Sequence, residues 1–222
     1  MNNLTLVIGN YNYSSWSLRP WFLLRQLNIP FQQVRLPLDT PEFDQSIGQW
    51  SPAGRVPVLR HGDLTVWDSL AICEYVNDVL APGQVWPSHP ADRAHARSLA
   101  CEMHAGFAAL RREMPVNLRA RRRIVPSADC LADIHRIHGL IEDCRRRFAD
   151  QGAWLFGPFS ATDAMYAPVL TRFQTYGVVS PAVVNAYSHT VLTSAPLQAW
   201  TAAALAETEV VAADEVGEPV TD

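Results

Sequence analysis

Apolar and polar positions follow two rhythms along this chain. Up to about residue 80, short apolar runs alternate with helical spacing. Leu4–Ile8 reads as a strand, and residues 15–27 place Leu18, Trp21, Phe22 and Leu24 at near-helical intervals before Asn28 and Pro30 break the pattern. Residues 31–36 alternate as a second strand should, and 42–50 form a short, weak helix. Residues 56–59 and Leu64–Trp67 flank a turn at Gly62 and Asp63 and predict a hairpin. Asp68 or Ser69 then caps a helix running to about Leu80, so the predicted order is β-α-β-α-β-β-α.

The stretch APGQVWPSHP, residues 81–90, has no period and reads as a linker. Beyond it only helical spacing remains, over residues 91–206. Leu99, Met103, Phe107, Leu110 and Met114 make one stripe, stopped by Pro115. Leu131, Ile134, Ile137, Ile141, Cys144 and Phe148 make another after a Ser127 cap. In FSATDAMYAP, Ser160 and Asp163 have capping-box spacing at the start of a helix whose apolar content marks it as buried. Residues 181–193 and 196–206 add two helical segments, and 207–222 is an acidic tail expected to be disordered.

Composition narrows the chemistry. With 48% apolar and 18% charged residues the 222-residue chain is globular, neither disordered nor collagen-like. All 18 basic residues are Arg, which excludes Schiff-base lysines and a P-loop lysine. The net charge of -4 owes itself to six acids in the tail; the body carries a small positive excess, too weak to indicate nucleic acid. No apolar run reaches the ~20 residues of a membrane span, and the first residues lack a signal-peptide pattern, so a cytoplasmic protein without membrane contact is expected. Cys73, Cys101, Cys130 and Cys144 form no C-x-x-C pair and read as reduced, buried thiols. No metal site is expected: His135, His138 and Glu142 read as a solvated or partner-facing helix face, and the Arg clusters at 119–123 and 145–147 as solvated charge.

Three motifs could carry chemistry. In YNYSSWSLRPW, residues 11–21, Ser14, Ser15 and Ser17 fall near the first turn of a helix, where free N–H groups and the helix dipole favour an anion such as a thiolate. In GRVPVL, Pro57 interrupts an apolar run; it marks a sheet edge, or a cis bond that leaves the Val56 backbone free for an extended ligand. In WDSLAICEY, Asp68 and Ser69 open a helix with a carboxylate and a hydroxyl suited to an amino-acid ligand. Each motif taken singly is also explained by capping or by an edge strand.

In this order, followed by an all-helical half, the three motifs resemble the glutathione transferase family, and SSWSLR is similar to the serine motif of its zeta class, which includes maleylacetoacetate isomerase. Trp16 stands where that motif has Cys. The resemblance covers nearly the whole chain and implies an α/β plus all-α fold: a thioredoxin-like domain over residues 1–80 and an all-helical domain over 91–206. It implies glutathione as co-substrate, activated for attack on a small electrophile in conjugation, isomerisation or reduction. Ser14 or Ser15, with Ser14 ranked first, would bond the sulfur. Arg55, Val56 and cis Pro57 would meet the cysteinyl backbone, and Asp68 and Ser69 the γ-glutamyl end. His104, Phe107, Arg111, Met114 and Asn117 lie where the family places its electrophile pocket. A homodimer is also implied. The competing expectations are a non-catalytic protein of the same fold and a nucleic-acid-associated regulator using the Arg clusters.

Overall fold

Leu4–Ile8 forms β1 of the computed structural model, which describes residues 3–220. Its apolar side chains are buried on both faces of the sheet, as those of a central strand must be. Gln32–Arg35 (β2) lies parallel to β1 on one side. On the other side the hairpin of Val58–His61 (β3) and Leu64–Trp67 (β4) completes a sheet of order β2-β1-β3-β4. The parallel pair requires a crossover, and Ser15–Gln26 (α1) supplies it. Pro41–Ile47 (α2) and Ser69–Tyr75 (α3) complete the predicted β-α-β-α-β-β-α order, and α3 runs on into a π-helical turn, Val76–Leu80.

The second half is helical: Pro90–Ala105 (α4), Ala108–Glu113 (α5), Ala128–Phe148 (α6), Ala161–Thr175 (α7), Ala182–Leu192 (α8) and Ala195–Ala206 (α9). The stripe from Leu99 to Met114 is divided between α4 and α5. A Cβ on Gly106 would stand 2.8 Å from the Glu102 carbonyl oxygen, and Phe107 adopts a left-handed φ of 59°, so the chain turns here although the apolar face continues. Helix α7 is buried along almost its whole length against α1, α4 and α8. Its contact with α1 joins the two halves, and Phe22 of α1 meets Phe159 just before α7 edge to face at 5.4 Å.

Several expectations are corrected. Residues 207–220 are not loose: Glu218–Pro219 (β6) pairs with Arg122–Arg123 (β5), and Glu207 and Glu215 bond into the first half. Three members of the Arg clusters are correspondingly engaged, while Arg121, Arg123, Arg146 and Arg147 are exposed as expected. Arg119 donates to the carbonyls of Glu207 and Glu209, Arg122 pairs with Glu215, and Arg145 donates to the carbonyls of Gly152 and Trp154. His138 is buried, with Nε2 3.0 Å from the Ser180 hydroxyl. Of the cysteines, Cys101 is exposed, while burial pushes the Cys73 and Cys144 thiols up to about 12. Among the described residues no helix is long and apolar enough to cross a membrane, and no metal-binding cluster of His, Cys, Asp and Glu occurs.

Candidate functional site

Helix α1 begins without a side-chain cap. Ser14, at the N-cap position, instead turns its hydroxyl to Ser17 at 2.7 Å, and the Ser17 oxygen accepts the Gly9 N–H at 3.1 Å. Both residues thus serve the link between β1 and α1. Ser15 differs: its hydroxyl has no hydrogen-bond partner among the described residues, and the residue borders a cavity of about 390 Å³. A free hydroxyl at the positive end of a 12-residue helix is a donor ready for an anion.

A second cavity, of about 440 Å³, adjoins the first; Trp16, Arg55 and Val56 line both. Ala53, Pro57, Trp67, Asp68, Ser69 and His104 complete its wall. The Val56–Pro57 peptide bond is cis. Asp68 caps α3, its Oδ1 accepting the N–H groups of Leu70 at 2.8 Å and Ala71 at 3.2 Å, from a backbone φ of 76° that a residue with a Cβ rarely adopts. Its other oxygen stands 3.3 Å from His104 Nε2. Burial lowers the affinity of His104 for a proton, against the pull of Asp68 and together with the nearby Arg19 and Arg111, and His104 Nδ1 is buried without a partner. Ser69 is fully buried and accepts from Arg19 at 3.3 Å.

Trp16, which borders both cavities, is surrounded by cationic and aromatic groups. The guanidinium of Arg19 stacks on it at 4.2 Å, that of Arg111 stands 5.2 Å from its centroid, and His104 meets its edge at 5.1 Å. Burial, with repulsion from Arg111 and Arg172, holds the Arg19 guanidinium well below its ordinary value. The first cavity is walled on its far side by Arg111, Arg172 and Asp214. The Tyr13 hydroxyl lies beside it but is occupied, donating to Glu215 at 2.6 Å and accepting from Arg119 at 2.9 Å.

The structure thus brings Ser14, Ser15, Arg55, Val56, Pro57, Asp68, Ser69, His104 and Arg111 around two adjoining cavities. Phe107, Met114 and Asn117 line neither. Phe107 and Met114 pack into the apolar core, and the Asn117 amide is consumed between Asn12 at 2.9 Å and Glu215 at 2.8 Å. Sequence reasoning missed Arg172 and Asp214. Arg172 had a legible signal, as the single cation in the segment ATDAMYAPVLTRFQT; Asp214, in an acidic segment with no period, had none.

Comparison with known proteins shows what the chain is similar to. Residues 13–79 match the glutathione S-transferase N-terminal domain. The dichloromethane dehalogenase of Methylorubrum extorquens is 36% identical over 55 residues, covering 24% of this chain and 19% of its own length. A probable maleylacetoacetate isomerase of Caenorhabditis elegans is 28% identical over 107 residues, covering 48% of this chain and 50% of its own length. The matches to these two curated relatives thus span half their length or less. Among solved structures, a Burkholderia glutathione transferase homolog with bound glutathione superposes with a TM-score of 0.68 at 22% identity, over 90% of this chain and 97% of that one, which shows a shared fold.

Proposed function

We propose that this chain, whose residues 13–79 match the glutathione S-transferase N-terminal domain and whose fold is shared with a solved glutathione transferase homolog, has the activity of a glutathione transferase. Glutathione binds in the cavity lined by Val56, Asp68 and Ser69, with its thiol directed past Trp16 to Ser15. The backbone of Val56, with Arg55 and Pro57 beside it, meets the cysteinyl part, and Asp68 and Ser69 receive the γ-glutamyl end. The observation that carries this reading is the unpartnered Ser15 hydroxyl at the start of α1, bordering the cavity that adjoins the Val56, Asp68 and Ser69 cavity. Ser14, whose hydroxyl is turned to Ser17, holds the loop rather than the sulfur.

The chemistry follows from the thiol. A free thiol with pKa ~8.5 is only a few per cent thiolate at neutral pH; donation from Ser15 and the positive end of α1 stabilise the anion and release its proton to solvent. The thiolate then attacks an electrophilic carbon of a small substrate in the adjoining cavity, leading to conjugation, isomerisation or reduction according to that substrate. A homodimer in the cytoplasm accompanies this reading.

Thermal melting in millimolar glutathione tests the binding. Saturation at ~100 times Kd raises the unfolding free energy by about 2.7 kcal/mol, whereas an unmoved melting curve removes the premise. Ultraviolet titration of the bound thiolate tests the serine assignment. Losing a hydrogen bond to a charged group costs about 1.5–3 kcal/mol, so Ser15→Ala is expected to raise the bound thiol's pKa by about one to two units. A rise in Ser14→Ala alone would transfer the role to Ser14. Light scattering at micromolar concentration is expected to give about twice the chain mass of 24.7 kDa.

A further inference from the structure

The cavity beside Ser15 contains positive charge that the protein does not neutralise. Arg172 reaches it from α7, is 5% exposed, and has no ion-pair partner among the described residues. Its Nε is buried without a hydrogen-bond partner. A guanidinium removed from water in this way is among the least favourable groups a core can hold, unless an anion pairs with it. Arg111 lines the same cavity from α5, tied by its Nε to the Gly106 carbonyl at 2.9 Å, and Arg55 lines it from the loop before β3.

The internal counter-charge is weak. Asp214 is the one carboxylate among the lining residues, and it makes no ion pair with Arg172. Burial pushes the Asp214 carboxyl up to about 6, despite the nearby Arg172. Burial, with repulsion from Arg111, brings Arg172 down to about 9. The geometry and the charge therefore point the same way. A ligand anion would supply what the chain omits, and the guanidinium fork suits a carboxylate.

We infer that this cavity is an anion subsite and that the second substrate is an electrophile bearing a carboxylate, held by Arg172 and Arg111 with its reactive carbon toward Ser15. The reaction at that carbon rests on the glutathione chemistry proposed above; the carboxylate subsite does not, and the two can fail separately.

A matched pair of acceptors tests it: 4-chloro-3-nitrobenzoate and its uncharged amide. With either, the glutathione thiolate attacks the chlorinated ring carbon, the C–S bond forms, chloride leaves and the thiol proton passes to buffer. The carboxylate is expected to be favoured in kcat/KM by about tenfold or more, the range of one charge-assisted hydrogen bond. Arg172→Met should bring the ratio toward one, and Asp214→Asn should raise it by removing a like charge. Calorimetry with unreactive 3-nitrobenzoate, without glutathione, reads the subsite independently of turnover. Wild type is expected to bind it and to bind 3-nitrobenzamide at least tenfold more weakly.

Arg172→Met is expected to lose the nitrobenzoate while melting, ligand-free, no lower than wild type, because it removes an unpaired buried charge. Should that variant not fold, Arg111→Met is read in the same way. Nitrobenzoate binding through Arg172 with no turnover of either acceptor would overturn the glutathione chemistry and uphold the subsite. Equal binding of acid and amide, or undiminished nitrobenzoate binding in Arg172→Met, would overturn the subsite.

Discussion

Asp163 is fully buried at the start of α7, and its carboxylate gathers four donors. Oδ2 accepts the Ser160 N–H at 2.8 Å and the Ser160 hydroxyl at 3.1 Å; Oδ1 accepts the Leu155 N–H at 2.9 Å and the Tyr187 hydroxyl at 3.0 Å. The capping box read from S-x-x-D is closed, and the same side chain also fastens α8 and the loop before α7. Asp163→Ala leaves those donors unpaired in the core, so a loss of about 1–3 kcal/mol is expected in denaturant unfolding, with glutathione affinity per folded molecule unchanged. Asp214 gives a different signature. Its carboxyl binds a proton more readily folded than unfolded, so between about pH 4 and 6 the native state holds more protons, and stability falls as pH rises through that window. The advantage of wild type over Asp214→Asn in unfolding free energy is therefore expected to be larger at pH 4 than at pH 7; an advantage independent of pH would show that Asp214 titrates alike in both states.

Helix α1 shows how one segment serves both the core and the site. Its Leu18, Phe22, Leu23 and Leu24 are buried, while its first residues border the cavities. The loop before it is held from the far end of the chain. The Glu207 carboxylate, just past α9, accepts the N–H groups of Tyr11 at 2.8 Å and Asn12 at 2.9 Å, and the Trp200 indole donates to the Tyr11 carbonyl at 2.8 Å. Two charge-assisted bonds to consecutive amides fix the approach to Ser14 and Ser15. In Glu207→Ala both amides lose a partner. Faster hydrogen exchange at Tyr11 and Asn12 and a stability loss of about 1–3 kcal/mol are expected; unchanged exchange would show that the loop is held by other contacts. The strands, α1 and the two capping motifs were legible because period, Pro, Gly and cap residues act within a few positions. The break at Gly106 was not, because the apolar stripe runs through it and only the close approach to Glu102 reveals it.

In the folded chain the two cavities are bounded by segments far apart in sequence: the start of α1, the loop at Arg55 to Pro57, the start of α3, the end of α4, α5, α7 and Asp214. The β-α-β-α-β-β-α half, the helical half, the absence of lysine chemistry and the serine, Val-Pro and Asp-Ser motifs were all legible in the chain, since each depends on local spacing or on composition. Which serine has a free hydroxyl was settled by the folded arrangement. Ser14 and Ser15 are equivalent as letters, and the difference between them is that Ser17 stands 2.7 Å from the Ser14 hydroxyl. The folded arrangement also decided that Phe107 and Met114 pack into the core, that the Asn117 amide bonds Asn12 and Glu215, that Arg172 stands unpaired at a cavity, and that the acidic end packs against the N-terminal loop. The physical reason is common to all of these. Hydrogen-bond saturation and charge compensation belong to groups brought together across tens to hundreds of residues, and a local pattern carries no record of which donor, acceptor or counter-ion will arrive.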